Sequence, residues 1–139
     1  MASICVILNP VAGRGYAGRI LPLVRQCFTE LGADFEIVPT RMAGEAVDLA
    51  SRAVADGCST VVAVGGDGTA HEVINGMMAA SEGVPSAVLG CIPAGSGNDF
   101  SVPSGAPTDV RKACEQIVRG KMRLIDVGHM VVDDQYRRY

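Results

Sequence analysis

The segment Gly65-Gly66-Asp67-Gly68-Thr69 is a glycine run holding one carboxylate and one hydroxyl. Glycines let a backbone approach phosphate oxygens closely and adopt φ > 0. A helix that follows such a run presents free N–H groups and a positive dipole end, which suit an anion. Thr69 can cap that helix or bind a phosphate oxygen. A lone Asp67 fits an anion site when a metal or a substrate hydroxyl is also present, and magnesium held largely through water reconciles the carboxylate with phosphates. A plainer reading stays open, in which the segment is a tight strand-to-helix turn with Asp67 as the N-cap.

Two further segments carry polar groups on permissive backbone. In Pro93-Ala94-Gly95-Ser96-Gly97-Asn98-Asp99, glycines separate a hydroxyl, an amide and a carboxylate, all able to bond a base, ribose or phosphate. Asn9-Pro10-Val11-Ala12-Gly13 is less specific, because Asn-Pro also starts ordinary turns. Glu72 and Asn75 lie three apart, away from the apolar stripe of their helix, and so share a face. That face either meets a nucleotide or metal or is a solvated polar surface. His71 has no evident partner and reads as a surface residue.

Elements able to position these residues are readable from periodicity. Ile4–Leu8, residues 34–38, residues 60–64 and residues 87–92 are short apolar runs expected as strands. Residues 60–64 have no polar side chain after Thr60, as in the middle of a parallel sheet. Between the runs, Ile20 to Leu31, Ala43 to Val54 and Ala70 to Met78 repeat apolar residues at helical spacing. Gly32 and Gly57 mark helix ends. A further helix is expected from Thr108 as N-cap through Val118, closed by Gly120. Alternating strands and helices predict an α/β domain, a parallel sheet with helices on both faces. The special segments and Thr40 then fall at the carboxyl ends of strands, where such sheets bind ligands. Residues 124–132 read as one long strand, Asp133-Asp134 as a turn, and residues 136–139 as the start of a return strand.

Composition narrows the classes. Apolar residues make up 48% of the 139, enough for a real core, and the net charge of −3 lacks the basic stripe of a nucleic-acid binder. With three Phe, three Tyr and no Trp, base-stacking platforms are not expected either. The five cysteines are scattered without a C-x-x-C pair and read as small core residues of a reducing, cytoplasmic compartment. No G-x-x-x-x-G-K-[ST] P-loop, dinucleotide fingerprint, zinc spacing or G-x-S-x-G elbow is present.

Taken together, N-P-x-x-G at residues 9–13, G-G-D-G-T-x-x-E-x-x-N-G at residues 65–76 and P-A-G-S-G-N-D-F at residues 93–100 resemble the diacylglycerol kinase catalytic domain. That family is shared with sphingosine and ceramide kinases and bacterial YegS-like lipid kinases. Arg123 to Asp126 also looks like the segment leading out of that domain. G-G-D-G-T occurs in NAD kinases and 6-phosphofructokinases too, whose N-terminal domain fold the resemblance implies; the third segment favours lipid kinases. The resemblance implies ATP as donor, Mg2+, and a lipid hydroxyl as acceptor at a membrane surface. It places the ATP site at Asn9, Pro10, Val11, Ala12 and Gly13, at Thr40, along Gly65, Gly66, Asp67, Gly68, Thr69, Ala70, His71 and Glu72, and at Ser96 with Asn98 and Asp99. Asp67 looks like the family's catalytic-loop aspartate, the base assigned in sphingosine kinases. In the YegS-like members the base and magnesium ligands instead lie in a C-terminal β-rich domain, which this chain is expected to lack. Residues 1–123 would then be the nucleotide-binding domain. Residues 124–139 would be a crossover strand or hairpin, able to pair into a homodimer. The alternatives are a NAD kinase-like or sugar kinase, and a nucleotide-binding module without activity.

Overall fold

The computed structural model describes residues 2–84, 86–132 and 136–139. The expected apolar runs pair in parallel: β1 (Ile4–Leu8), β2 (Phe35–Pro39), β3 (Thr60–Gly65) and β4 (Val88–Pro93) form a sheet in the order β2-β1-β3-β4. Register aligns their carboxyl ends, with Leu8 opposite both Pro39 and Val64, and Gly65 opposite Pro93. Every residue of β1 is buried, as a central strand covered on both faces requires.

Four helices supply that cover: α1 (Tyr16–Glu30), α2 (Glu45–Ala55), α3 (Asp67–Ala80) and α4 (Val110–Arg119). Alternation along the strands divides the core in two. Ile4, Val6, Leu8, Val62 and Val64 face α1 and α4, with Val24, Phe28 and Cys114 packed on them. Cys5, Ile7, Val61 and Ala63 face α2 and α3, with Ala46, Ala50 and Val73. The α2–α3 contact is close: a Cβ on Gly76 would collide with the carbonyl of Val47 and lie 2.8 Å from Ala50 Cβ. The cysteines are free thiols, four of them buried, and burial pushes Cys5 up to about 12 and Cys91 up to about 11, which keeps them unreactive.

Boundaries differ from expectation at three places. Helix α3 starts at Asp67, not near Ala70, and its N-cap is Gly66, so Asp67 is already in the first turn. The cap of α4 is Asp109 rather than Thr108: its carboxylate, one residue nearer Val110, accepts the N–H of Lys112 at 2.9 Å. A charged acceptor there also suits the helix dipole. The long strand expected over residues 124–132 is confined to β5 (Met130–Val132), which pairs antiparallel with β6 (Tyr136–Arg138). Residues 120–129 lie outside regular structure, and among the described residues no strand pairs with them. The turn expected at Asp133 and Asp134 lies outside the described residues.

Tyr139, which follows β6, is bonded to the domain. Asn75, buried on α3, accepts the N–H of Tyr139 at 2.8 Å and donates to the Tyr139 carbonyl at 3.3 Å. The Tyr139 ring stacks on His129 at 4.4 Å. Asn75 is therefore a buried, bonded residue and not part of a solvated polar surface.

Candidate functional site

Asn9 leaves β1 with its N–H on the carbonyl of Val64 at 3.0 Å. Its side chain then works in two directions. The amide oxygen accepts the N–H of Val11 at 3.2 Å, turning the loop, and the amide nitrogen donates to the Thr69 hydroxyl at 3.4 Å, tying that loop to α3. Gly13, at φ 60°, lies against the carbonyl of Ala94, where a Cβ would collide. The loop after β1 is thus seated against both other special segments.

The turn from β3 into α3 is packed as closely. A Cβ on Gly65 would strike the Thr69 side chain, and one on Gly66 would stand 3.1 Å from Gly95 Cα. Asp67 accepts the N–H groups of Asp99 and Phe100, each at 3.0 Å and each on a different carboxylate oxygen. These backbone N–H groups hold its carboxyl below the usual aspartate range. A carboxylate so stabilised is a weak proton acceptor. Asn98, at φ 58°, spends its amide inside the loop, accepting the Gly95 N–H and donating to the Gly95 carbonyl, both at 3.0 Å. Ser96 and the Asp99 side chain are exposed at the loop's outer edge.

The crevice opens where the chain leaves neighbouring strands in opposite directions, from β1 toward β2 and from β3 toward β4. This is the position at which open α/β sheets bind ligands. A cleft of about 240 Å³ lies there. Asn9 and Pro10 form its floor, and Gly68, Thr69 and Glu72 of α3 one wall. The opposite wall is the loop after β2, from Thr40 to Ala43, continued by Ala46. Among the described residues no side chain caps α3, which leaves N–H groups of its first turn without a capping acceptor. A Cβ on Gly68 would meet nothing within 4 Å, so the space before that turn is clear.

Of the expected site residues, Asn9, Pro10, Val11, Thr40, Gly68, Thr69 and Glu72 line this cleft. Gly13, Gly65, Gly66 and Asp67 hold its surroundings instead. Ala70 is buried and His71 exposed, neither lining the cleft. Ser96, Asn98 and Asp99 lie across Gly66 from it, on the loop tethered by Asp67. Arg41, Met42, Ala43 and Ala46 line the cleft as well and were not expected; for Arg41 to Ala43 the signal is their place directly after Thr40. That wall is braced by two carboxylates. Glu72 accepts the Gly44 N–H at 3.1 Å, and Glu45 accepts the Arg41 N–H and its guanidinium, the latter at 2.8 Å. The guanidinium bonds hold the Glu45 carboxyl below its ordinary range.

Among the described residues no group of three or more His, Cys, Asp or Glu side chains is placed to hold a metal ion. Among them, too, no helix is long and apolar enough to cross a membrane.

The chain is similar to known proteins in sequence and in fold. A diacylglycerol kinase from Staphylococcus saprophyticus is 37% identical over 125 residues, covering 90% of this chain and 40% of its own length. One from Bacillus subtilis is 37% identical over 132 residues, covering 94% and 42%. A crystal structure of a diacylglycerol kinase from Bacillus anthracis superposes with a TM-score of 0.72 at 27% identity, covering 85% of this chain and 40% of that one. The chain thus spans about two fifths of the length of these relatives. Residues 3–130 match the family Diacylglycerol kinase catalytic domain, and the chain belongs to that family.

Proposed function

We propose that the chain is the ATP-binding part of a lipid kinase that transfers a phosphoryl group from ATP to the hydroxyl of a diacylglycerol-like lipid. The observation that carries this reading is the meeting of three glycine-bearing segments beside the uncapped start of α3, in a chain of the diacylglycerol kinase family. In the reaction a lipid oxygen forms a bond to the γ-phosphorus, the bond to the ADP oxygen breaks with its electron pair staying on ADP, and the hydroxyl proton is released to water. Such transfer asks mainly for positioning and charge stabilisation from the protein.

On this reading the first-turn N–H groups of α3 receive phosphate oxygens, and Gly68 provides the clearance. Ser96, an exposed residue of the loop after β4, donates a further bond to the nucleotide. Asn9 and Asp67 act by fixing the loops, and the depressed Asp67 carboxyl is ill suited to take the hydroxyl proton. Magnesium would neutralise phosphate charge, held mainly by the phosphates and water given the scattered carboxylates. The enzyme would meet its lipid at a membrane surface. The isolated 139-residue chain would bind ATP without turning it over.

The test follows the label. The isolated chain should bind ATP by calorimetry. The complete protein, given γ-labelled ATP and mixed micelles of diacylglycerol, should place label in the organic phase. Label in a water-soluble product would favour the NAD kinase-like or sugar kinase reading. Absence of ATP binding by the folded protein would overturn the site.

A further inference from the structure

One anionic and one cationic side chain line the cleft, and together they decide which way a nucleotide lies in it. Glu72 is the anion. One of its oxygens is taken by the Gly44 N–H, but the charge remains in the cleft. A polyphosphate carries several negative charges and is repelled by a carboxylate lining its site. Phosphates are favoured at the other end, past Gly68, where the first-turn N–H groups of α3 are free. The uncharged base and ribose are left the stretch between Glu72 and the loop after β2.

That stretch suits a flat apolar ring. Met42 is 69% exposed there, and Ala43 and Ala46 add small apolar surface. Arg41 is the cation. Its Nε and Nη2 donate to Glu45 at 3.1 and 2.8 Å, while its side chain is 83% exposed. The N–H edge of the guanidinium is therefore held, and its planar faces are free. A guanidinium restrained in this way stacks on aromatic rings.

We propose, building on the nucleotide-site reading above, that Arg41 and Met42 form the seat of the purine base, with Arg41 stacking its guanidinium plane on the ring. Glu45 is then a positioning residue, which fixes the plane without touching the ligand. Recognition by stacking depends on the ring's face and not on the pattern of groups at its edge.

The experiment uses three probes on the purified protein: ATP, adenosine and inorganic tripolyphosphate, with affinities from calorimetry or competition. Arg41→Ala should weaken ATP and adenosine by the same factor, about two- to fivefold, and leave tripolyphosphate unchanged. Arg41→Tyr keeps a plane and should retain most of the affinity, whereas Arg41→Lys keeps the charge and should not. Because the side chain is so exposed, these variants should fold, which melting curves verify. Loss of tripolyphosphate affinity in Arg41→Ala, rescued by Lys but not Tyr, would make Arg41 a phosphate contact and overturn the proposal. Unchanged ATP affinity in Arg41→Ala would overturn it equally. If the unsubstituted protein binds none of the three probes, the failure lies in the nucleotide site itself.

Discussion

Gly68→Ala separates binding from folding, because its Cβ meets nothing within 4 Å in the free protein while Gly68 lines the cleft. Gly68 is the second residue of α3, its φ is not positive, and a methyl group there meets no atom within 4 Å. The free protein should therefore gain a little, because alanine is favoured over glycine in helices by about 0.5–1 kcal/mol. For a chain of this length that is a rise of up to about 4 °C in melting temperature. The methyl enters the 240 Å³ cleft that Gly68 lines. Crowding by one such group in a packed site typically costs about 1–3 kcal/mol, which corresponds to about 5- to 150-fold weaker ATP binding. Melting curves and ATP titrations on the same samples measure both quantities. A raised melting temperature with unchanged ATP affinity would refute the argument, since phosphates would then not approach this turn. Gly66→Ala is a poorer probe. Its Cβ presses on Gly95 at 3.1 Å, so lost binding there would mix ligand clash with displacement of the 94–100 loop.

Asp67→Asn leaves one accepting oxygen and turns an NH2 group toward the second backbone N–H. Hydrogen exchange at Asp99 and Phe100 should accelerate, and phosphoryl transfer by the complete protein should fall more than ATP affinity. Because the folded carboxyl lies below the ordinary aspartate value of about 3.9, its tether is fully present above that value and lost only as pH falls through the folded one. A rate profile near neutral pH whose acid limb disappears in Asp67→Asn would make this group a proton acceptor instead. Gly76→Ala should destabilise by a net of about 1–2 kcal/mol, as overpacking between α2 and α3 outweighs helix propensity. A urea midpoint that stays level or rises would contradict the close helix contact.

Legibility in the sequence followed the range of the interactions. The strands were readable to within a residue because burial on both faces leaves an unbroken apolar run, as in β1 and β3. The start of α3 was not, because its first turn is Asp67-Gly68-Thr69, a poor helix-forming stretch held by contacts from the loop after β4. The parallel pattern announced that the special segments share one rim, yet not that Asp67 faces Asp99 while Glu72 faces Gly44. Asn75 shows the limit most clearly. Besides the local bond to the His71 carbonyl, its partner is Tyr139, 64 positions away, and no periodicity encodes that pairing. Residues 124–132 erred in the other direction: an apolar run resembles a strand, but a strand needs a neighbour, and only Met130–Val132 has one.

The glycine at position 76 also governs how the cleft can move. Helices α2 and α3 touch there backbone to backbone, with Val47 and Ser51 on the other side of the contact. The loop leading into α2 forms one wall of the cleft, and the first turns of α3 form the other. Both walls are thus ends of a single fused block, and the cleft is a notch in that block, not a jaw between two arms. A bulkier ligand would find little give across it. Any widening has to come from the loop at residues 9–13, which lines the cleft and rests on α3 through the Asn9–Thr69 hydrogen bond.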